Sequence, residues 1–497
     1  MAKDKKAVVI GAGIGGLSAA VSLACAGYEV ALFEKNKGPG GKLNQLEKDG
    51  FRFDLGPSIL TMPQIFRDLF ARAGKEMKDY VAIEELRPHW RNFFEGGFTF
   101  DFTPDSRLME AELKKIPDGG RGFSAFLEYS RRQSLLTEEG YFKYGYDTLA
   151  EMRAGYGNLR ALLGFDWMRS MDAGVRSYVK DPRLVDALNY FIKYVGSSPY
   201  DAPGTMNLLP HVQFGYGLWY VSGGMYKMAL ALEKLARDCG VDIKYGHEAA
   251  SIERAGGRVT AVTAKNGARA EADAVVSNME VIPACRELLG EDEAFLRSLE
   301  KFEPACSGLV IDLGIKGSYP ALAHHNFFYS GSPKEHFDAV FRKKELSSDP
   351  TIYLVAPCVT DPSAAPAGCS VLKILPHIPH IRDEKPYTKA DYTAFRDVVL
   401  AKLERMGLDG LRSRIVTEDV LTPDDIKAMY YSNKGSIYGV VSDRKLNGAF
   451  RAPKRSSRYS NLFFVGGSVN PGAGMPMVAL SGMLACDMLT GAIGGRK

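Results

Sequence analysis

Residues 7–34 carry the pattern that most restricts what this chain can fold into. A strand-like Ala7-Val8-Val9-Ile10 runs straight into Gly11-Ala12-Gly13-Ile14-Gly15-Gly16. A helical stretch follows from Leu17 to Ala26, and a second strand-like segment, 29–33, ends in Glu34 and Lys35. G-x-G-x-x-G set between a strand and a helix meets three demands. Gly11 permits the tight turn, Gly13 lets backbone approach a pyrophosphate, and Gly16 lets the helix pack closely on the strand. The helix start offers unpaired N–H groups and the positive end of its dipole to phosphates. Glu34 stands where a carboxylate accepts hydrogen bonds from a ribose diol. The segment therefore predicts a Rossmann-type α/β dinucleotide site, with Gly11, Gly13, Gly15, Gly16, Glu34 and Lys35 along it. The competing reading is a glycine-rich turn that binds nothing.

Two further glycine turns decide which dinucleotide. Gly40-Gly41-Lys42 follows the acid. Gly41 and Lys42 read either as contacts to phosphate or flavin edge, or as a flexible turn ending in a surface lysine. Near the C-terminus, Phe464-Val465-Gly466-Gly467-Ser468 and Pro471-Gly472-Ala473-Gly474-Met475-Pro476 form a second strand, glycine turn and helix start. A nicotinamide has no need of this second element. A flavin does, because its ring lies against backbone with a helix N-terminus near N1 and O2, where negative charge collects on reduction. FAD is the cofactor expected, with Gly466, Gly467, Gly474, Met475 and Pro476 against it; the alternative is a loop that serves packing alone.

At 497 residues the chain exceeds one compact core, taking about 150 residues per domain. Residues 1–75, 223–285 and 446–497 read as one discontinuous FAD-binding domain. Residues 76–222 and 286–445, rich in aromatics and large aliphatics, read as a second domain inserted into it. A helix in the second tract is marked by the capping-box start Thr388-x-x-Asp391 and by Phe395, Val399, Leu403 and Met406 at helical spacing. A net charge of +4 allows weak attraction to anionic lipid but argues against nucleic acid. Seven scattered cysteines without C-x-x-C argue for a reducing cytosol and against zinc, and no metal site is expected. The N-terminus lacks a secretory pattern, and no run of apolar residues is long enough to span a bilayer. The eight histidines include no H-E-x-x-H, and His324, His325, His377 and His380 read as surface or loop residues.

With these pieces assembled, the sequence resembles the phytoene desaturase family of bacterial carotenoid desaturases and related carotenoid FAD oxidoreductases. The resemblance spans nearly the whole chain. Beyond the glycine turns it rests on Phe53-Asp54-Leu55-Gly56-Pro57-Ser58, Phe126-Leu127-Glu128-Tyr129-Ser130-Arg131 and Tyr194-Val195-Gly196-Ser197-Ser198-Pro199. Trp219-Tyr220-x-x-Gly223-Gly224-Met225, Val275-Val276-Ser277-Asn278 and the C-terminal Pro-Gly-Ala-Gly-Met-Pro complete it. It implies a flavin amine-oxidase-like architecture: a Rossmann-type FAD-binding domain with an inserted α+β substrate domain and an apolar tunnel for a polyisoprenoid. It adds Gly56, Pro57 and Ser58 to the cofactor contacts.

The reaction implied is desaturation of an allylic C–C bond, with hydride passing to flavin N5 and oxygen or a quinone as final acceptor. An unactivated CH2–CH2 pair has no acidic proton, so the cofactor carries the hard chemistry. Glu128, with Arg131 one turn away, is the acid–base candidate by resemblance; an i,i+3 ion pair on a solvated helix face is the alternative. One departure stands out. Relatives resemble Gly-Thr-His-Pro-Gly where this chain has Ser468-Val469-Asn470-Pro471, and Asn470 cannot titrate. That keeps other carotenoid desaturases, terminal-methyl oxidases and a cis–trans isomerase open, beside a non-catalytic isoprenoid carrier. Leu162, Leu163, Phe165, Trp167, Met168 and Met171, flanked by Arg160 and Arg169, form either a membrane-contacting face or core packing. The location expected is cytoplasmic, peripherally attached to the membrane.

Overall fold

A computed structural model of the chain describes residues 5–157 and 163–493. Five strands, β1 (Lys5–Ile10), β2 (Tyr28–Glu34), β3 (Asp242–Tyr245), β4 (Ala274–Ser277) and β5 (Leu462–Phe464), form an all-parallel sheet in the order β5-β4-β1-β2-β3. The sequence accounts for this arrangement. Residues 7–10 and all of β4 are apolar or small and buried, as strands covered on both faces require. The sheet draws on three tracts far apart in the chain, so its order is fixed only by long-range packing.

One face of this sheet carries α1 (Ile14–Cys25), α2 (Tyr226–Asp238) and α3 (Met475–Thr490). α1 is buried along almost its whole length because its Gly, Ala and Ser positions admit a neighbouring helix at close range. α3 is that neighbour: Ser18 Oγ donates to the Ala479 carbonyl at 2.6 Å, and a Cβ on Gly482 would lie 2.6 Å from the Gly15 carbonyl oxygen. The first and last glycine turns are thereby locked together through the helices that follow them.

The second sheet has eight strands. Its main path runs Ile415–Leu421, Val310–Lys316, Cys369–Ile378, Ile352–Val355, His325–Phe328, Trp90–Phe93, Thr99–Phe102, with Ser307–Gly308 paired to Cys369–Ile378. It is antiparallel except where His325–Phe328 meets Trp90–Phe93. The helix Lys389–Arg405, opened by the Thr388/Asp391 capping box that the sequence predicts, packs Phe395, Val399 and Leu403 with Ile311, Leu313 and Ile374. The sheet also contributes Trp90, Phe102, Phe327 and Tyr353 to an aromatic core. The surface reading of the histidines is corrected, since His324, His325, His377 and His380 are all buried; His325 and His377 lie in strands, whereas His324 and His380 lie in loop segments as the sequence allowed. Burial holds the His324 and His377 imidazoles far below their usual range, to about 3, outweighing the nearby Asp361 carboxylate at His324.

Candidate active site

A cavity of about 1950 Å³ opens at the carboxyl ends of the parallel strands. Gly11 and Gly13 reach it from the end of β1, Glu34 from β2, Asn278 from β4, and Gly466 and Gly467 from β5. That is where an α/β sheet binds its ligand. The N-terminus of α1 faces this space without a side-chain cap at Gly13 and with no acid in its first turn, so its N–H groups remain available to an anion. Gly16 does not line the cavity. A Cβ there would stand 1.9 Å from the Gly11 carbonyl oxygen, so its role is the helix–strand contact foreseen for it. Gly15 is likewise a packing position, with a Cβ meeting Asn278 and the Gly466 nitrogen at 3.0 and 3.2 Å.

Glu34 is buried, and its two oxygens accept from the Ala12 and Asn36 N–H groups at 2.7 and 2.8 Å. Each oxygen keeps a second lone pair, so the carboxylate is pre-oriented and still able to accept from a diol. Lys35 lines the cavity, but its ammonium donates to the Ala428 carbonyl at 2.8 Å and sits 3.9 Å above the Tyr431 ring. Lys42 lines the cavity and is not a free surface lysine. It pairs with Glu280 and donates to the Ser436 carbonyl, both at 2.9 Å, tying the second glycine turn to the segment after β4.

Gly41, Gly56, Pro57 and Ser58 also line the cavity. The neighbouring Asp54 explains their geometry: its carboxylate accepts the Met225 N–H at 3.0 Å, just ahead of α2, and burial raises its pKa. Lys373 donates to the Asp54 and Gly56 carbonyls, holding this loop against the second sheet.

Two contributors were not singled out from sequence. Asn278 donates to the Val465 carbonyl at 3.2 Å and packs beside Gly11, Gly13, Gly15 and Gly466, so one side chain joins the first and last turns. Its position directly after a strand of the parallel sheet was the available signal. Lys193, 3 % exposed, lines the cavity with its ammonium 3.7 Å above the Tyr353 ring. A single cation in the aromatic run Tyr190-Phe191-Ile192-Lys193-Tyr194 was its signal.

A second cavity, about 1110 Å³ and overwhelmingly apolar, adjoins the first. Phe142, Met152, Phe165, Trp167, Met206, Leu209 and Phe450 are among its walls. Ile59, Tyr194, Ala473, Gly474 and Met475 line both spaces, so the two meet at the start of α3, and Pro476 faces the apolar side. Gly474 is the N-cap of α3, with φ +98°, and a Cβ there would find nothing within 4 Å; the uncapped helix end points into open space. Asn470 lies behind this junction, fully buried. Its Oδ1 accepts from the Tyr141 hydroxyl at 2.7 Å and the Arg451 N–H at 2.9 Å, and its Nδ2 donates to Asp147 and the Arg451 carbonyl, both at 3.2 Å.

Glu128 and Arg131 line neither cavity. They form an i,i+3 pair at 2.8 Å with side chains 53 % and 46 % exposed, the solvated helix-face alternative. The structure thus places the acid–base candidates named by resemblance away from both cavities. In the amphipathic tract, Arg160 and Leu162 lie outside the described residues. Phe165 and Met171 are buried, whereas Leu163 and Met168 are 76 % and 90 % exposed beside the cavity-lining Trp167.

The site's features fit one class of cofactor. A bare helix start for a pyrophosphate, an oriented acid for a ribose and a second bare helix start beside open space fit FAD, and the fold and site define a flavin-dependent oxidoreductase. The chain belongs to the flavin containing amine oxidoreductase family, whose pattern matches residues 14–490. It is 59 % identical to a 4,4'-diapolycopene oxygenase of Methylomonas sp over 98 % of each chain. It is 49 % identical to a 4,4'-diaponeurosporene oxygenase of Staphylococcus haemolyticus over 98 % of this chain and 97 % of that one. Its fold is similar to that of wild-type putrescine oxidase bound to putrescine, with a TM-score of 0.64 at 14 % identity, covering 98 % of this chain and 99 % of the other.

Proposed function

We propose that this protein oxidises a linear carotenoid at the end of the polyene in an FAD-dependent reaction; the relatives named 4,4'-diapolycopene oxygenase and 4,4'-diaponeurosporene oxygenase support a carotenoid substrate. The observation that carries the reading is the junction: an apolar cavity opens onto the dinucleotide cleft at Tyr194, Gly474 and Met475. In this reading residues 1–75, 223–285 and 446–497 serve as the FAD-binding domain and the remainder as the substrate domain. FAD, when bound, would supply a two-electron acceptor that oxygen or a quinone restores, and the oxygen atom gained in end-group oxidation would come from water.

The chain's own residues do the rest. Glu34 holds the ribose, the α1 start faces the pyrophosphate, and the α3 start offers N–H dipoles where negative charge develops. Phe165, Met206, Leu209 and Phe450 keep water out and align the hydrocarbon, which is the main contribution a protein can make to an unactivated C–H bond. Polyene desaturation is the second reading, favoured by the Asp54-x-Gly56-Pro57 and C-terminal Pro-Gly-Ala-Gly-Met-Pro elements shared with the desaturases that the chain resembles.

Expression in hosts accumulating different linear carotenoids, followed by mass analysis of the pigments, separates the two. Gain of oxygen supports end-group oxidation and loss of two hydrogens supports desaturation. An unchanged pigment in every host, with FAD bound, contradicts both.

We propose further that substrate enters from a membrane surface past Leu163 and Met168, from a cytoplasmic enzyme attached peripherally. Among the described residues no helix is long and apolar enough to cross a membrane. Vesicle flotation that is lost in Leu163→Asp/Met168→Asp supports this entry; equal flotation of both proteins contradicts it.

A further inference from the structure

Two residues lining the apolar cavity each carry a buried polar atom that the fold leaves without a partner. Arg451 is 3 % exposed and lines this cavity, not the dinucleotide cleft. Its Nη1 donates to the Tyr438 and Gly467 carbonyls, both at 2.9 Å, and its backbone N–H and carbonyl are held by Asn470. Nη2 has no partner, and among the described residues no carboxylate pairs with this guanidinium. On the same cavity wall the buried Thr205 hydroxyl is also without a partner.

Buried donors are almost always satisfied, and an unsatisfied charged one carries a heavy desolvation cost unless a ligand meets it. A cavity meant only for hydrocarbon would have no reason to keep an oriented cation. The scaffold around Arg451 is also specific. Asn470 fixes the backbone and the Tyr141 hydroxyl together, and Nη1 is committed to two carbonyls, so the guanidinium is held in place with one edge unpartnered. This gives Asn470 a role that a titrating side chain is not needed for.

We infer that Arg451, with Thr205, recognises an oxygen carried by the polyene: a terminal carbonyl or carboxylate, seated with its hydrocarbon chain along the apolar walls. The inference rests on the polyene reading of this cavity and adds that the cavity distinguishes an oxygenated end from a bare one. It makes the partly oxidised chain a ligand in its own right, so that the reaction supplying an oxygenated end feeds this site.

The test is equilibrium binding to the purified, FAD-loaded, full-length protein, read from the polyene absorbance. The probes are crocetin (a linear polyene dicarboxylic acid), its dialdehyde, and the hydrocarbon lycopene. Arg451→Met, compared at equal FAD loading because Nη1 also holds the cleft-lining Gly467 and Tyr438 carbonyls, is expected to weaken binding of both oxygenated probes at least about tenfold while lycopene changes by less than about twofold. Thr205→Val removes only the unpartnered hydroxyl and is expected to weaken the dialdehyde by about threefold, deciding the matter if the arginine variant fails to fold. Equal losses for all three probes, or none, overturn the inference. If none of the three polyenes binds the wild-type protein while FAD is present, the polyene reading itself falls and this inference with it.

Discussion

The dinucleotide cleft and the apolar cavity share five residues and are built on opposite principles. The cleft is made largely of backbone: three glycine turns, two bare helix starts and one oriented carboxylate, all at the ends of parallel strands. The cavity is made of side-chain volume, with Ile59, Phe142, Phe165, Met206, Leu209 and Phe450 arriving from loops and helices that have no common pattern. Cofactor recognition is therefore intolerant of a single added methyl group at a few positions and indifferent to most other changes. Substrate recognition is tunable by ordinary changes in bulk. One scaffold can thus keep its cleft while its cavity is changed by side-chain bulk.

The contrast breaks most visibly at Gly16. Gly16→Val places atoms inside the Gly11 carbonyl, and the expected result is protein that retains no FAD, destabilised by at least about 3 kcal/mol, measured by absorbance and thermal unfolding. Next comes the cavity wall. Leu209→Trp should lower turnover of a linear carotenoid by about tenfold to a hundredfold while the bound flavin spectrum is unchanged, which a combined activity and absorbance assay checks.

A smaller effect is expected at the residue joining the turns. Asn278→Ala loses the bond to the Val465 carbonyl, and FAD titration of the apoprotein should show affinity reduced by about tenfold with the fold retained. The smallest concerns Glu128→Gln. An exposed ion pair away from both cavities contributes little, so turnover should stay within about twofold; a larger fall would return Glu128 to the mechanism.

These magnitudes follow what was legible in the amino-acid sequence. The glycine turns, Glu34 and the helix starts announce themselves because each satisfies a local backbone demand within about ten residues. Asn278 was visible only as part of a motif, since its contacts bridge turns separated by more than four hundred residues. The apolar cavity was expected in kind but not in residues, because a wall assembled from long-range contacts leaves no periodicity. Lys42 and Lys35 could be assigned to the right region but not to their partners: an ion pair to Glu280 and a carbonyl of Ala428 depend on tertiary placement. The burial of the histidines was hidden for the same reason, since nothing in His324-His325 says that both faces of the sheet are covered.

The central claim is that the apolar cavity delivers a polyene to the cofactor at the Gly474 junction. Anaerobic mixing of the FAD-loaded protein with a linear carotenoid in mixed micelles tests it directly. The account predicts bleaching of the oxidised-flavin absorbance by the carotenoid and none by putrescine. Bleaching by the diamine, with the carotenoid inert, would contradict it.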